Sequence, residues 1–355
     1  MSLVEILVGV LIGMIGIVVI FQMLASAEER KRSTGAGTDA QVAGAIAMQR
    51  LERNVKLSGY GFGIAPASYM GCTVNAYDSA RPTTAYTFTL APVQITQGAA
   101  GLPDTITTLW GTSSLFAATQ TFSASTSTTK RTQGRGGLQT GDVIIAAGGG
   151  PVCALVEVTG NTNADGVTID HATGSYVNAS GDTVTARYNA AAGPAVAFSS
   201  GNLYNLGSAP RRNIWSIRTN KILTVSNDLQ YADANGDGQN DWLEIADGVI
   251  NLQAEYGVDA DNDNRISSSE WTTTAPADWT KLRAVRAALL ARSAQYEKTS
   301  VTTTAPTWAG GSFVMRNVDG TADSSPGDDN DWRHYRYRVY QAVIPLRNMI
   351  WGTSP

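Results

Sequence analysis

The chain has 355 residues, with 26 Lys and Arg against 30 Asp and Glu, a formal net charge of −4 and a sequence pI near 5.3. That balance gives no electrostatic case for nucleic acid as a partner, and the length supplies ample material for one large domain or two ordinary ones. Charged residues make up only 16% of the chain, a leanness that suits an extracellular or surface protein better than a cytosolic enzyme.

The first element is "MSLVEILVGVLIGMIGIVVIF". Residues 6–25 are apolar apart from Gly9, Gly13, Gly16 and Gln22, about the 20 residues a helix needs to cross a bilayer. Glu5 is the only charged residue before Glu28, and a carboxylate in hydrocarbon costs about 2.5–3.5 kcal/mol even on insertion scales. A secretory leader fits poorly, because the segment lacks a basic start and no A-x-A site precedes a mature domain cleanly. A single-span anchor fits better. Its flank "EERKR" (28–32) points to a cytoplasmic C-terminal side by the positive-inside tendency, and Glu5 then snorkels near the membrane surface. A third possibility gives Glu5 a partner and is taken up below.

Past "STGAG" (34–38), where Gly35 and Gly37 mark a soft spot, "DAQVAGAIAMQRLERNVKLSGYG" resumes helical spacing. Val42, Ile46, Leu51 and Val55 fall on one face, Asp39 can cap its start and Gly59 can stop it. A helix over about residues 2–57 would run for about 80 Å. Beyond it, "YTFTLAPVQIT", "DTITTLW", "GDVIIAA" and "CALVEVTG" read as short strands. The polar stretch 122–137 reads as a loop and a conceivable site for O-linked sugar. "NIWSIRTNKILTVSN" reads as a hairpin turning near Thr219–Asn220. "KLRAVRAALLARS" has helical propensity but alternates like a strand, and "RHYRYRVYQAVIPLRN" reads as a strand whose Tyr and Arg residues take opposite faces. Cys72 and Cys153 are the only cysteines, and without a CxxC or a Cys/His cluster they form a disulfide in an exported chain or two buried thiols in a cytosolic one.

Two segments have calcium-loop spacing. "DANGDGQNDWLE" offers Asp233, Asn235, Asp237, Gln239, Asp241 and Glu244 around Gly238. "DADNDNRISSSE" offers Asp259, Asp261, Asp263, Arg265, Ser267 and Glu270, with Asn264 at the turn. Alternating oxygen ligands closed by a glutamate are what Ca2+ takes, and Asn tolerates the left-handed turn in place of Gly. One such match could be an Asp/Asn-rich turn; two within forty residues favour one or two calcium ions. Strand-like flanks imply loops inserted in a β domain, with no helix pair to open and no sensor role. A third acidic stretch, residues 323–332, lacks the spacing and reads as a solvated loop. His171 and His334 sit in unrelated contexts, and no GxSxG, P-loop or dinucleotide fingerprint is present, so no enzyme is expected.

The start "MSLVEILVGVLIGMIGI" resembles the mature N-terminus of a type IV pilin, with Met where that family usually has Phe. "SGYGFG", "GDVIIAAGGGPVCALVEVTG", "LYNLGSAP", "IADGVINLQAEYGVDADNDN", "LRAVRAALLARS" and "VIPLRN" follow in the order of PilW-type minor pilins. The resemblance implies an α+β pilin fold. A long N-terminal helix over 1–57, half of it membrane-spanning, would pack on an antiparallel sheet within a β-rich domain over 58–355. It implies cleavage by a prepilin peptidase before Met1 and methylation of Met1 as the new N-terminal residue. It further implies that Glu5 is neutralised by the Met1 α-amino group of a neighbouring subunit. The partners implied are other pilin subunits, the pilus assembly machinery and the inner membrane, with an extracellular filament as the destination. The alternatives are a type II secretion pseudopilin and a membrane-anchored calcium-dependent adhesin that never polymerises.

Overall fold

Leu3–Leu57 form one helix of 55 residues, about 83 Å long at 1.5 Å per residue. The computed structural model describes residues 3–113, 119–134, 136–160, 166–317, 321 and 331–352, without the side chains at 5, 29–30, 32–40 and 351–352. The helix does not break at the expected soft spot, so Asp39 lies in its interior and caps no second start. Isolated glycines cost about 1 kcal/mol each relative to Ala, too little to end a helix anchored by packing further on. Every described side chain from 3 to 28 is exposed, and Ile6–Glu28 is long and apolar enough to cross a membrane, with a mean hydropathy of 2.7.

From Gly44 onward one face is buried: Gly44, Ala47, Met48, Leu51, Val55 and Ser58 follow the i, i+3, i+4 spacing of a docked helix. The expected face is half right. Leu51 and Val55 are fully buried, but Val42 and Ile46 stay 54% and 41% exposed. The contact is centred on Gly44, where the Tyr340 ring lies against the helix backbone. A Cβ built there would stand 2.3 Å from Tyr340 Cε2. The Tyr340 hydroxyl donates to the Gln41 carbonyl at 2.8 Å. A small residue admits the ring, and the larger side chains at 42 and 46 turn away.

Gly59, at φ +85°, ends the helix as expected. Asn348 donates from Nδ2 to the carbonyls of Leu57 (3.0 Å) and Ser58 (3.1 Å) where the helix ends, and Tyr60 N also donates to Leu57 O (3.3 Å). The helix rests on Leu243–Asp247, Leu282–Arg292 and Tyr337–Pro345.

Those strands belong to two antiparallel sheets. The four-stranded sheet runs Trp271–Thr272, Val249–Val258, Leu282–Arg292, Tyr337–Pro345 in spatial order. The five-stranded sheet runs Leu243–Asp247, Ile222–Asn227, Arg211–Ile217, Thr105–Trp110, Val93–Thr96. An eight-stranded sheet and two two-stranded ones make up the rest of the described β structure, so the class is α+β with an N-terminal helix.

Within the segment 281–293, Leu282–Arg292 is a strand, as its alternation indicates. Val285, Ala287 and Leu289 face the main core shared with the helix, and Ala288 and Leu290 face a second cluster around Phe313. Val143–Ala147 is likewise buried on both faces, which accounts for its unbroken apolar run. The hairpin at 213–227 forms, with Lys221 at φ +64° closing the turn. In the C-terminal stretch the strand begins only at Tyr337. Trp332–His334 is a 3-10 turn whose Asp331 carboxylate accepts from Arg333 N, while Tyr335 is buried and Arg336 and Arg338 are exposed.

The polar stretch 122–137 is a hairpin rather than a loop. Gln120–Ser125 pairs with Thr129–Thr132, and Phe122, Lys130 and Thr132 turn inward. Period-two burial holds there with polar residues on the inner face, a pattern that composition conceals. Cys72 and Cys153 form a disulfide, Cα–Cα 5.9 Å, across 81 residues. It staples the start of a parallel pair, Thr73–Tyr77 with Val152–Glu157. The loop between such distant strands is costly to close, and the chain-entropy account credits a bond of this span with roughly 4 kcal/mol.

Tyr340 against Gly44 yields a direct test. Gly44→Val should destabilise the folded chain by about 1–3 kcal/mol through overpacking. Gly13→Val, with nothing within 4 Å of its Cβ, should leave melting of the β region unchanged. Equal melting temperatures for both variants would contradict the docking described.

Candidate functional site

Both acidic loops close hairpins. The first loop, 233–244, lies at the end of the connection 228–242 from Ile222–Asn227 to Leu243–Asp247 and runs into that second strand, and 259–270 join Val249–Val258 to Trp271–Thr272. Their backbones follow one plan. The fourth and sixth positions are left-handed in each: Gly236 and Gly238 at φ +73° and +77°, Asn262 and Asn264 at +62° and +61°. Asn at these places meets the conformational need that Gly meets in the first loop.

Three hydrogen bonds repeat. Asp237 N donates to Asn235 Oδ1 (3.1 Å) as Asp263 N does to Asp261 Oδ1 (3.2 Å). Gln239 N donates to Asp237 Oδ1 (2.8 Å) as Arg265 N does to Asp263 Oδ1 (2.7 Å). Gly238 N donates to Asp233 Oδ2 (2.8 Å) as Asn264 N does to Asp259 Oδ2 (3.2 Å).

They differ in which carboxylates converge. In the first loop Asp241 Oδ2 accepts from Ala234 N at 3.0 Å, and both Asp233 oxygens accept backbone N–H groups. Glu244 stands exposed on the following strand, opposite Thr224. In the second loop the Asp259, Asp261 and Asp263 carboxylates each offer an oxygen within 4.8 Å of the others, and among the described residues this is the only such group of three His, Cys, Asp or Glu. Glu270 folds over the loop, accepting from Ala260 N (2.8 Å) and Ser267 N (2.7 Å). These backbone donors, Ser267 first, hold its carboxyl below the usual range. The spacing of the sequence favoured the first loop; the geometry favours the second.

Residues outside the motif frame the second loop. Asp259 N donates to Lys281 O at 3.0 Å, Lys281 Nζ donates to Ala260 O at 3.0 Å, and Arg283 Nε lies 3.4 Å from Asp259 Oδ2. Arg283 Nη1 also reaches the carbonyls of Thr280 (3.3 Å) and Met349 (3.5 Å). No spacing rule singles out Arg283, because it meets Asp259 from a neighbouring strand 24 residues away.

The histidines have separate surroundings. His334 Nδ1 is 2.7 Å from Glu297 O, and its ring stacks on Tyr296 at 4.9 Å. His171 is 2% exposed, and burial, with the Lys130 charge second, pushes its imidazole down to about 4. Lys130 is itself buried and pushed down to about 8; its ammonium donates to Ser125 Oγ at 3.0 Å. Of the proposed assembly residues, Met1 and the Glu5 side chain lie outside the described residues, as does most of 323–332.

A membrane-length apolar helix leading into a β-rich domain defines the class: a protein suited to membrane anchoring at its N-terminus. Residues 216–348 match the PilW family model, described as type IV pilus-assembly protein W. The match bears out the PilW resemblance over that stretch and ties the chain to type IV pilus assembly. It spans "IADGVINLQAEYGVDADNDN", "LRAVRAALLARS" and "VIPLRN", while the other three anchor segments precede it. No curated protein and no solved structure matches.

His171 makes an acid-sensitivity prediction. Its imidazole titrates near 6.5 when unfolded and near 4 when folded. The unfolded chain therefore binds more protons between those values, and stability falls as pH drops through that window. At about pH 5 the loss is on the order of 1–2 kcal/mol. His171→Leu should flatten the decline in melting temperature between about pH 7 and about pH 5; an unchanged decline would contradict it.

Proposed function

We propose that this chain is a PilW-like structural subunit of a type IV pilus or a related extracellular filament, with a pilin fold and no enzymatic role. One observation carries this: the helix is divided between two environments. Its first half exposes apolar side chains around its whole circumference, and its second half is seated on Leu243–Asp247, Leu282–Arg292 and Tyr337–Pro345. All three strands lie within the PilW-matching stretch. A helix apolar on every side must be surrounded by lipid or by other helices. In this proposal it is lipid in the inner membrane before assembly, and the helices of neighbouring subunits in the filament afterwards. A prepilin peptidase processes the N-terminus, and the assembly machinery transfers the helix from one environment to the other.

Glu5 has its place in that transfer. In lipid its charge is a cost of about 2.5–3.5 kcal/mol. Beside the α-amino group of a neighbour's Met1 it becomes half of an ion pair, and a buried charge that needs one partner can set the register of assembly. Glu5→Ala should therefore leave the chain in the membrane fraction in at least parental amounts while depleting it from filaments sheared off the cell surface. Parental incorporation of the variant would contradict the docking role.

A further inference from the structure

We propose that the loop 259–270 is a calcium site built around Asp259, and that the bound ion braces the C-terminal cap of the long helix. The three converging carboxylates alone would be an ordinary acidic cluster. The distinguishing observation is Asp259 itself. Its side chain is 0% exposed, and its Oδ1 has no hydrogen-bond partner, whereas Oδ2 is served by Asn264 N and Arg283 Nε. A buried polar atom left without a partner is a standing cost. A cation held between Asp259, Asp261 and Asp263 removes it.

The geometry suits Ca2+. Its ligands stand at 2.3–2.6 Å, so oxygens on opposite sides of one ion are about 5 Å apart, and the three carboxylate oxygens lie within 4.8 Å of one another. The Arg265 carbonyl follows at the next odd position of the loop. Glu270 already lies across the loop, its carboxylate accepting from Ala260 N and Ser267 N. A flexible set of carboxylates and a carbonyl favours Ca2+ over Mg2+, which demands near-octahedral geometry at shorter distances. Arg265, Lys281 and Arg283 set three positive charges against the four acidic residues Asp259, Asp261, Asp263 and Glu270. That balance keeps binding weak, in the extracellular range of about 10⁻⁴–10⁻³ M.

The site connects to the helix through few atoms. Arg283 links Asp259 to the Met349 carbonyl, and its own carbonyl accepts from Leu346 N at 2.8 Å. Asn348, between those two residues, caps the long helix. Fixing Asp259 fixes Arg283, and with it the turn that carries Asn348.

The test uses the full chain in detergent, stripped of divalent ions by chelation, and is independent of whether the chain forms filaments. Terbium stands in for calcium, with emission sensitised by Trp271, the residue after Glu270. Calcium titration by calorimetry gives stoichiometry, and hydrogen exchange at Asn348 and the helix end gives the bracing. Asp263 is exposed, so Asp263→Asn should keep the fold, as judged by circular dichroism. Asp263→Asn and Glu270→Gln should each either remove one bound calcium per chain or weaken it by about tenfold or more. Trp271→Phe should lose the terbium emission belonging to this loop even with Trp242 intact. Calcium, but not magnesium at equal concentration, should slow exchange at the cap in the parent and not in Asp263→Asn. Undiminished calcium binding in both acidic variants, or none in the parent at millimolar calcium, would overturn the site. Cap exchange that ignores calcium would overturn the bracing.

Discussion

The Tyr340 ring against Gly44 is the contact on which the rest of the molecule is arranged. It brings a 55-residue helix into register with the four-stranded sheet, so that Ala47, Met48, Leu51 and Val55 enter the same core as Val285, Ala287, Leu289 and Ile344. At the C-terminal end of the same helix, Asn348 closes it. Between them, Gly44 and Asn348 divide the helix into a docked part and a free part. The free part exposes Leu3–Leu24 without a polar face, and that surface needs either lipid or other helices around it.

The remaining β structure serves that arrangement. Leu282–Arg292 is packed on both sides, by the helix-bearing core and by the Phe313 cluster, and so holds the helix seat between two apolar layers. The eight-stranded sheet adds a third cluster around Ile144 and Val156, with the Cys72–Cys153 bond fixing its one parallel pair. The acidic loops project from two hairpins next to the helix seat, and the second reaches the helix cap through Arg283. Few charged groups enter this architecture. Some are buried in ion pairs or triads, as Asp259 with Arg283 and Asp78 with Arg187 and Arg81; others, such as Asp104 and Lys130, are held by hydrogen bonds to uncharged groups, as burial of a charge requires.

Local pattern made much of this legible beforehand. The helix, the strands at 104–110, 141–147 and 281–293, the hairpin at 213–227 and both loop backbones follow from periodicity and from Gly, Asn and Asp placement. What stayed hidden depends on residues far apart in sequence. Val42 and Ile46 have the spacing of a buried stripe, yet Tyr340, some 300 residues away, selects the face that carries Gly44. Asn348 and Arg283 have no local signal at all. Residues 122–137 were obscured for a different reason: their inward side chains include Lys130 and Thr132, so a true strand alternation reads as polar sequence. As sequence the first loop is the better match to the calcium template, because it keeps Gly238 at the turn where the second has Asn264. In the structure they are separated by the burial of Asp259, the convergence of Asp259, Asp261 and Asp263, the fold of Glu270 over its loop and the place of Glu244 on an exposed strand.

The central claim is that the exposed half of this helix is made for burial among copies of itself and related subunits. Mass spectrometry of filaments sheared from the cell surface, read alongside the membrane fraction of the same cells, tests it most directly. The account predicts that the chain is present in the filaments with Met1 as a methylated N-terminal residue. A chain confined to the membrane fraction, absent from filaments that are otherwise assembled, would contradict it.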